Sequence, residues 1–229
     1  MLPFRRRPTT AVLFDAAGVL LAPDPAAFRT RLAPFGVTPD DAACLQAHYA
    51  GMAELDRSGS CDYAAADRAV ARALGIGAAA LEDAAAAVFA VYRQDPYVPL
   101  PGAAEQLRRL SAAGYALAVV SNAHGTVEAQ LAEHGICSVT GEQVARVGVV
   151  IDSHVVGVEK PDPAIFGYAL AALGVAAEEC LYVGDSVHFD VGGAQAAGIA
   201  PVHLAPFGGC TGGHADAPSL GSFVDALLA

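Results

Sequence analysis

Five short apolar runs limit what this chain can fold into: Ala11–Phe14, Tyr115–Val120, Val147–Ile151, Cys180–Val183 and Pro201–Leu204. Their hydrophobicity is continuous rather than alternating, as in parallel strands covered on both faces. Helical stretches near 125–134, 163–173 and 187–197 separate the later runs. Strand alternating with helix predicts an α/β fold, a doubly wound parallel sheet with right-handed crossovers. At 229 residues, and with about 100–200 residues per domain, the chain is one large domain or a domain with an insert.

The insert lies between the first two runs, where about a hundred residues intervene. That is far too many for one crossover helix. Apolar residues recur there at helical spacing: Phe28, Leu32 and Phe35; Leu45, Tyr49 and Met52; Tyr63, Ala66, Val70 and Leu74; Leu81, Ala85, Val88, Phe89 and Tyr92. Thr38 reads as a helix N-cap, with Pro39 at the first helical position and Asp40 and Asp41 in the first turn. Gly75 reads as a C-terminal stop. The expected organisation is a core of residues 1–22 and 99–229 with a four-helix-type insert over 23–98, between Pro-rich joints. Residues 208–218 are Gly-rich and read as a surface loop before a short C-terminal helix.

Charge is scarce and acidic. With 24 acidic and 13 basic residues, the formal net charge is −11, which argues against a nucleic-acid binder. Twelve of the thirteen basic residues are Arg, and Lys160 is the only lysine. Five scattered cysteines (Cys44, Cys61, Cys137, Cys180, Cys210) form no Cys-x-x-Cys and read as reduced thiols. The apolar run after Arg5-Arg6-Arg7 meets Asp15 too soon for an export core. No stretch reaches the ~18 apolar residues of a membrane span. A cytoplasmic protein without nucleic-acid or membrane partners is expected; the sequence leaves its oligomeric state open.

Open parallel sheets bind ligands where their strands end. The first run leads into Asp15-Ala16-Ala17-Gly18, the second into Ser121-Asn122, and the fourth into Gly184-Asp185 with Asp190 close behind. A Val158-Glu159-Lys160-Pro161-Asp162-Pro163 segment opens a helix. Three acids, a lysine and a serine can therefore converge on one sheet edge. Two carboxylates suit a hard cation such as Mg²⁺, which commonly partners a phosphate. An ammonium and a hydroxyl suit the oxygens of a transferring group, and a carboxylate can act as nucleophile.

These four motifs, in this order, resemble the haloacid dehalogenase superfamily of hydrolases, and in particular its phosphatases with a helical cap inserted after the first motif. The resemblance covers essentially the whole chain. It implies a Rossmann-like core, a Mg²⁺ cofactor and a small phosphorylated metabolite as substrate. Asp15 would attack phosphorus to form an aspartyl-phosphate, and Lys160 would bridge nucleophile and phosphate. Ser121 and the backbone of Asn122 would hold phosphoryl oxygens. Asp15, the backbone carbonyl of Ala17 and Asp185 would bind the metal, with Asp190 supporting that site from close by. The cap would close over the substrate.

One position departs from the pattern. Phosphatases of the family usually read Asp-x-Asp at the first motif, the second Asp being the general acid/base, and Ala17 stands there. A methyl group can neither protonate a leaving alkoxide nor activate water, and general acid/base catalysis contributes about 10²–10⁴-fold. Slow phosphatase turnover is expected. The alternatives are a non-catalytic binder of phosphometabolites and a haloacid dehalogenase, whose halide needs no proton; Arg29 and Arg57 could cradle that halide. Phosphonate chemistry needs a cap lysine, which the insert lacks. His124 and His188 lie near enough in sequence to be considered as replacement acids. His154 reads as a strand-end or turn residue and His203 as a satisfied, partly buried side chain.

Overall fold

The computed structural model describes residues 8–59, 62–94, 96–141, 143–208 and 212–229. Six strands run parallel: β1 (Ala11–Phe14), β2 (Ala116–Ser121), β3 (Val149–Asp152), β4 (Cys180–Gly184), β5 (Ala200–Leu204) and β6 (Ala215–Ala217). They lie in the order β6-β5-β4-β1-β2-β3. β1 and β4 are buried along their whole length, as continuous apolar runs require. The chain leaves β1 toward β2 on one side and returns to β4 on the other. The point where strand order reverses therefore falls between β1 and β4.

The five apolar runs all become strands, with ends shifted by up to two residues. β6 corrects the reading of 208–218 as a loop. It is a short edge strand in which Ala215 and Ala217 are buried while Asp216 between them faces out, too brief an alternation to stand out from Gly-rich flanks. Residues 209–211 of that stretch lie outside the described residues.

Among the described residues, eight helices of at least seven residues accompany the strands. The first four are α1 (Pro25–Leu32), α2 (Asp41–Ser58), α3 (Tyr63–Ala73) and α4 (Leu81–Gln94). Then come α5 (Ala103–Ala112), α6 (Val127–Glu133), α7 (Ala164–Leu173) and α8 (Leu220–Leu228). The helix expected over 187–197 is instead a π-type turn, Val187–Gly192, followed by one helical turn, Gly193–Ala196. Its cause is local. The Ser186 carbonyl accepts from the N–H groups of both Asp190 and Val191, each at 3.1 Å, and the Ser186 hydroxyl accepts from Phe189 N–H at 3.1 Å. The widened turn aims Asp190 back at the end of β4.

The chain divides into two compact units, one of the described residues up to Leu21 with Pro99–Ala229, the other Ala22–Val98. The second unit has its own apolar centre, built from Phe28, Leu32, Cys44, Ala47, Val70, Leu74, Val88 and Val91 among others. On α2 the buried face is Cys44, Ala47, His48, Gly51 and Leu55, whereas Leu45, Tyr49 and Met52, expected from their spacing, are only half-buried. Close helix packing explains the shift. A Cβ at Gly51 would lie 2.8 Å from Val70 Cγ2 on α3, so the contact face is made of small residues that a search for large apolar ones passes over. The α2 N-cap is Asp40, not Thr38: its carboxylate accepts from Ala43 N–H at 2.7 Å. Gly75, at φ 88°, does end α3, and Ile76 N–H reaches back to the Ala71 carbonyl at 3.1 Å.

Cys44, Cys137 and Cys180 are buried free thiols, pushed up by burial to about 11, 12 and 11 respectively. Cys61 and Cys210 lie outside the described residues. No helix among the described residues is long and apolar enough to cross a membrane.

Asp67 on α3 is 8% exposed, and burial pushes its carboxyl up to about 6 against the pull of Arg93 and Arg68. A raised native pKa means stability present at low pH and lost as pH rises through about 6. Asp67→Asn, which carries no charge to bury, is therefore expected to raise stability at pH 7 by about 1–2 kcal/mol. The gain should shrink to near zero at pH 4, as read from urea unfolding at both pH values.

Candidate active site

Because every strand runs the same way, the C-terminal ends of β1 to β4 meet on one edge. In register, Phe14 lies beside Val119 and Val183, and Ser121 beside Asp152. Asp15 thus emerges at the reversal point between β1 and β4, where α/β sheets bind ligands. Its backbone N–H donates to the Val183 carbonyl at 2.9 Å.

Lys160 organises the cluster. Its ammonium donates to Asp15 Oδ1 at 2.9 Å, Asp190 Oδ1 at 2.7 Å and the Tyr182 hydroxyl at 3.0 Å. Lys160 is 2% exposed, Asp15 7% and Asp190 1%. A buried charge with no partner would be prohibitive, and here three oxygens take the three ammonium protons. Burial works to lower the lysine, but the Asp15 and Asp190 carboxylates outweigh it and hold the ammonium above its ordinary value. Burial pushes the Asp15 carboxyl up to about 7, Lys160 opposing and the Asp190 and Asp185 carboxylates adding to the rise. Tyr182 is driven well above the usual phenol range by burial and by Asp190.

Only one oxygen of Asp15 is tied down. Oδ1 accepts from Ala16 N–H at 2.7 Å as well as from Lys160, while Oδ2 has no hydrogen-bond partner among the described residues. Asp190 is the opposite case. Its Oδ1 meets Lys160 and the Tyr182 hydroxyl, and its Oδ2 accepts from the N–H groups of Asp185 and Ser186, each at 3.0 Å. Gly184 makes room for this carboxylate, since a Cβ there would collide with the Asp190 side chain.

Asn122 acts through its side-chain amide as well as its position. Oδ1 accepts from Lys160 N–H at 2.8 Å and Nδ2 donates to the Lys160 carbonyl at 3.0 Å, a two-point clamp on the lysine backbone. Ser121 is buried at the end of β2, and its hydroxyl has no hydrogen-bond partner among the described residues. Asp15, Asp185 and Asp190 bring one carboxylate oxygen each to within 4.8 Å of one another. Ala17 is half-buried in the turn after β1, followed by Gly18 at φ 74°. His124 is exposed, and half-buried His188 packs edge-on against Phe189 at 4.9 Å.

Several site-building residues do not stand out in the sequence. Tyr182 looks like part of an apolar run, although its hydroxyl needs a buried partner and reaches Asp190, Lys160 and the Val120 carbonyl. Asp152 at the end of β3 and Ser153 just after it fix the loop after Asn122: Asp152 accepts from Gly125 N–H at 2.7 Å, and Ser153 Oγ from Ala123 N–H at 3.2 Å. The strand-end rule that marks Asp15 and Asp185 applies equally to them.

The family model of haloacid dehalogenase-like hydrolases matches residues 9–198. The chain belongs to this family. Among curated relatives of this hydrolase, a glyceraldehyde 3-phosphate phosphatase of Methanopyrus kandleri is 33% identical over 46% of this chain and 43% of its own. A ribulose-1,5-bisphosphate 5-phosphatase of Halopiger xanaduensis is 29% identical over 86% of this chain and 85% of its own. The match thus spans less than half the length of the first relative and most of the second. Among solved structures, the hydrolase is similar to a HAD phosphatase of Thermococcus onnurineus, with a TM-score of 0.59, 22% identity and coverage of 96% and 98% of the two chains. That likeness bears on the fold alone.

Gly184→Ala should force Asp190 off its four hydrogen bonds. We expect a loss of about 1–3 kcal/mol, as for other overpacked sites, with unfolding in urea as the measurement. An unchanged midpoint would mean that the Asp190 side chain can be displaced without cost.

Proposed function

We propose that this hydrolase is a Mg²⁺-dependent phosphoric monoester hydrolase of the cytoplasm, acting on a small phosphorylated metabolite through Asp15. The observation that carries the reading is the buried Asp15 carboxylate, pinned through one oxygen by Lys160 at 2.9 Å and free at the other. The names of the two curated relatives support phosphate ester chemistry.

The donor set around Asp15 fits magnesium. The oxygens of Asp15 and Asp185 lie close together and are buried, and a hard cation prefers such ligands with several waters retained. Asp15, the Ala17 carbonyl and Asp185 would hold the ion; Asp190, its carboxylate already engaged four times, supports them through the backbone of Asp185. When bound, the ion supplies positive charge that keeps Asp15 ionised and draws the phosphoryl oxygens into place.

The chain's own residues do the rest. A free oxygen of Asp15 attacks phosphorus, the ester P–O bond breaks, and an aspartyl-phosphate forms. Lys160 neutralises charge between the carboxylate and the phosphoryl oxygens, while Ser121 Oγ and Asn122 N–H donate to them. Water then attacks phosphorus and returns Asp15. Both steps need a proton moved at the leaving or attacking oxygen, and Ala17 offers no group to move it. Turnover is accordingly slow, or confined to leaving groups that need little protonation. Residues 23–98 would serve as a cap that excludes water.

Dehalogenation is the second reading, carried by Ala17 alone, because a halide leaves without a proton. An assay of phosphate release from a metabolite panel decides. With Mg²⁺, Ala17→Asp is expected to raise kcat by about 10²–10⁴-fold, while Asp15→Asn and chelator abolish turnover. Halide release at full rate in chelator would overturn the phosphatase reading. Ligand affinity without turnover in either protein would make the chain a binder.

A further inference from the structure

Beside the Asp15 cluster lies a second convergence of ligand-type side chains. His203 is on β5, and His214 and Asp216 are at and within the neighbouring edge strand β6. Each offers one ligand atom, all within 4.8 Å of one another. Asp216 Oδ1 is 3.4 Å from His203 Nδ1 and 3.2 Å from His214 Nε2. A tetrahedral ion with bonds of ~2.0 Å sets its ligand atoms ~3.3 Å apart, so these spacings match the edges of such a polyhedron.

The second ring nitrogen of His203 strengthens the case. Nε2 sits 3.2 Å from the Asp185 backbone carbonyl, which can only accept, so Nε2 carries the proton. In the neutral ring Nδ1 is then the accepting nitrogen, and it lies 3.4 Å from Asp216 Oδ1. A histidine that ligates a metal almost always donates its other N–H to such a carbonyl, which fixes its tautomer and orientation. The two imidazole side chains are nearly buried, at 9% and 4%, while Asp216 keeps 28% of its surface open, leaving a way in for an ion.

We propose that His203, His214 and Asp216 form a second metal site, for a tetrahedral transition ion of the zinc class with its fourth position open to water or a ligand. Two nitrogen donors and one carboxylate disfavour Mg²⁺, which prefers oxygen, so the two sites differ in the metal they select. The ion would fasten β6 to β5. It would also stand one hydrogen bond from Asp185, but its binding does not depend on the phosphatase reading.

The test uses the untagged full chain, dialysed against Zn²⁺ with Mg²⁺ in large excess, and metal content by atomic emission. Wild type is expected to retain one zinc ion more than His214→Ala or Asp216→Asn, and to bind it at least tenfold more tightly. Co²⁺ should give wild type, and neither variant, an intense tetrahedral visible spectrum. Asp216→Asn changes one edge side chain, so it serves should His214→Ala fail to fold. Equal zinc content in all three proteins would overturn the proposal, whether the ion sits elsewhere or a proton alone joins His203 to Asp216. Because the readout is zinc content, a protein without phosphatase activity can still pass or fail it.

Discussion

Everything at the sheet edge depends on keeping one ammonium dry. Lys160 is buried with two carboxylates and a phenol around it, and breaking such a set by removing one partner leaves a stranded charge, at a cost of about 3–5 kcal/mol. The surroundings are arranged so that no partner can drift. Asn122 clamps the lysine backbone from β2. Gly184 gives Asp190 its space, and the 185–186 backbone holds its far oxygen. Tyr182 ties the same carboxylate to the Val120 carbonyl on β2 and packs edge-on against Phe166 of α7, with ring centroids 4.9 Å apart. β1 and the β4 end supply the partners of a single nitrogen, and β2 and α7 hold lysine and partners in place. An arginine would not serve here, because its planar fork needs more room than three oxygens around a point charge provide.

Much of this was legible in the residues alone, for a definite reason. A parallel strand buried on both faces must be a continuous apolar run, and its ligand-facing end is the first polar residue after it. That rule finds Asp15, Ser121 and Asp185 without any structure. Applied to the third run, the same rule marks Asp152. Lys160 stood out because composition had removed every other lysine. The role of Asp190 comes from the resemblance to the hydrolase family, not from the residues alone.

What stayed hidden lies where small or polar residues do structural work. The α2 face is set by Ala47 and Gly51, which carry no hydrophobic signal of their own yet decide how near α3 can come. β6 has three residues and two buried methyl groups, less than any periodicity can register. Tyr182 and the Asn122 amide are polar groups whose partners are distant in sequence, 62 residues away for the Tyr182 bond to Val120 and 38 for the Asn122 bonds to Lys160. Long-range hydrogen bonds of this kind have no local pattern.

The charge balance of the cluster connects its electrostatics to its chemistry. Asp15, Asp185 and Asp190 against Lys160 leave two formal negative charges in a region shielded from water. Burial, with the Asp190 and Asp185 carboxylates adding to it and Lys160 opposing, pushes the Asp15 carboxyl up to about 7. A proton there is a poor resting state for a nucleophile. One divalent cation would cancel the same excess while leaving Asp15 ionised, so the affinity for metal and the reactivity of the carboxylate would rise together. Ala17 changes neither. On the proposed reading it would remove the proton carrier for the leaving group while leaving the nucleophile, its lysine and its oxygen ligands in place. Binding and attack would then be separated from the proton transfer that completes them.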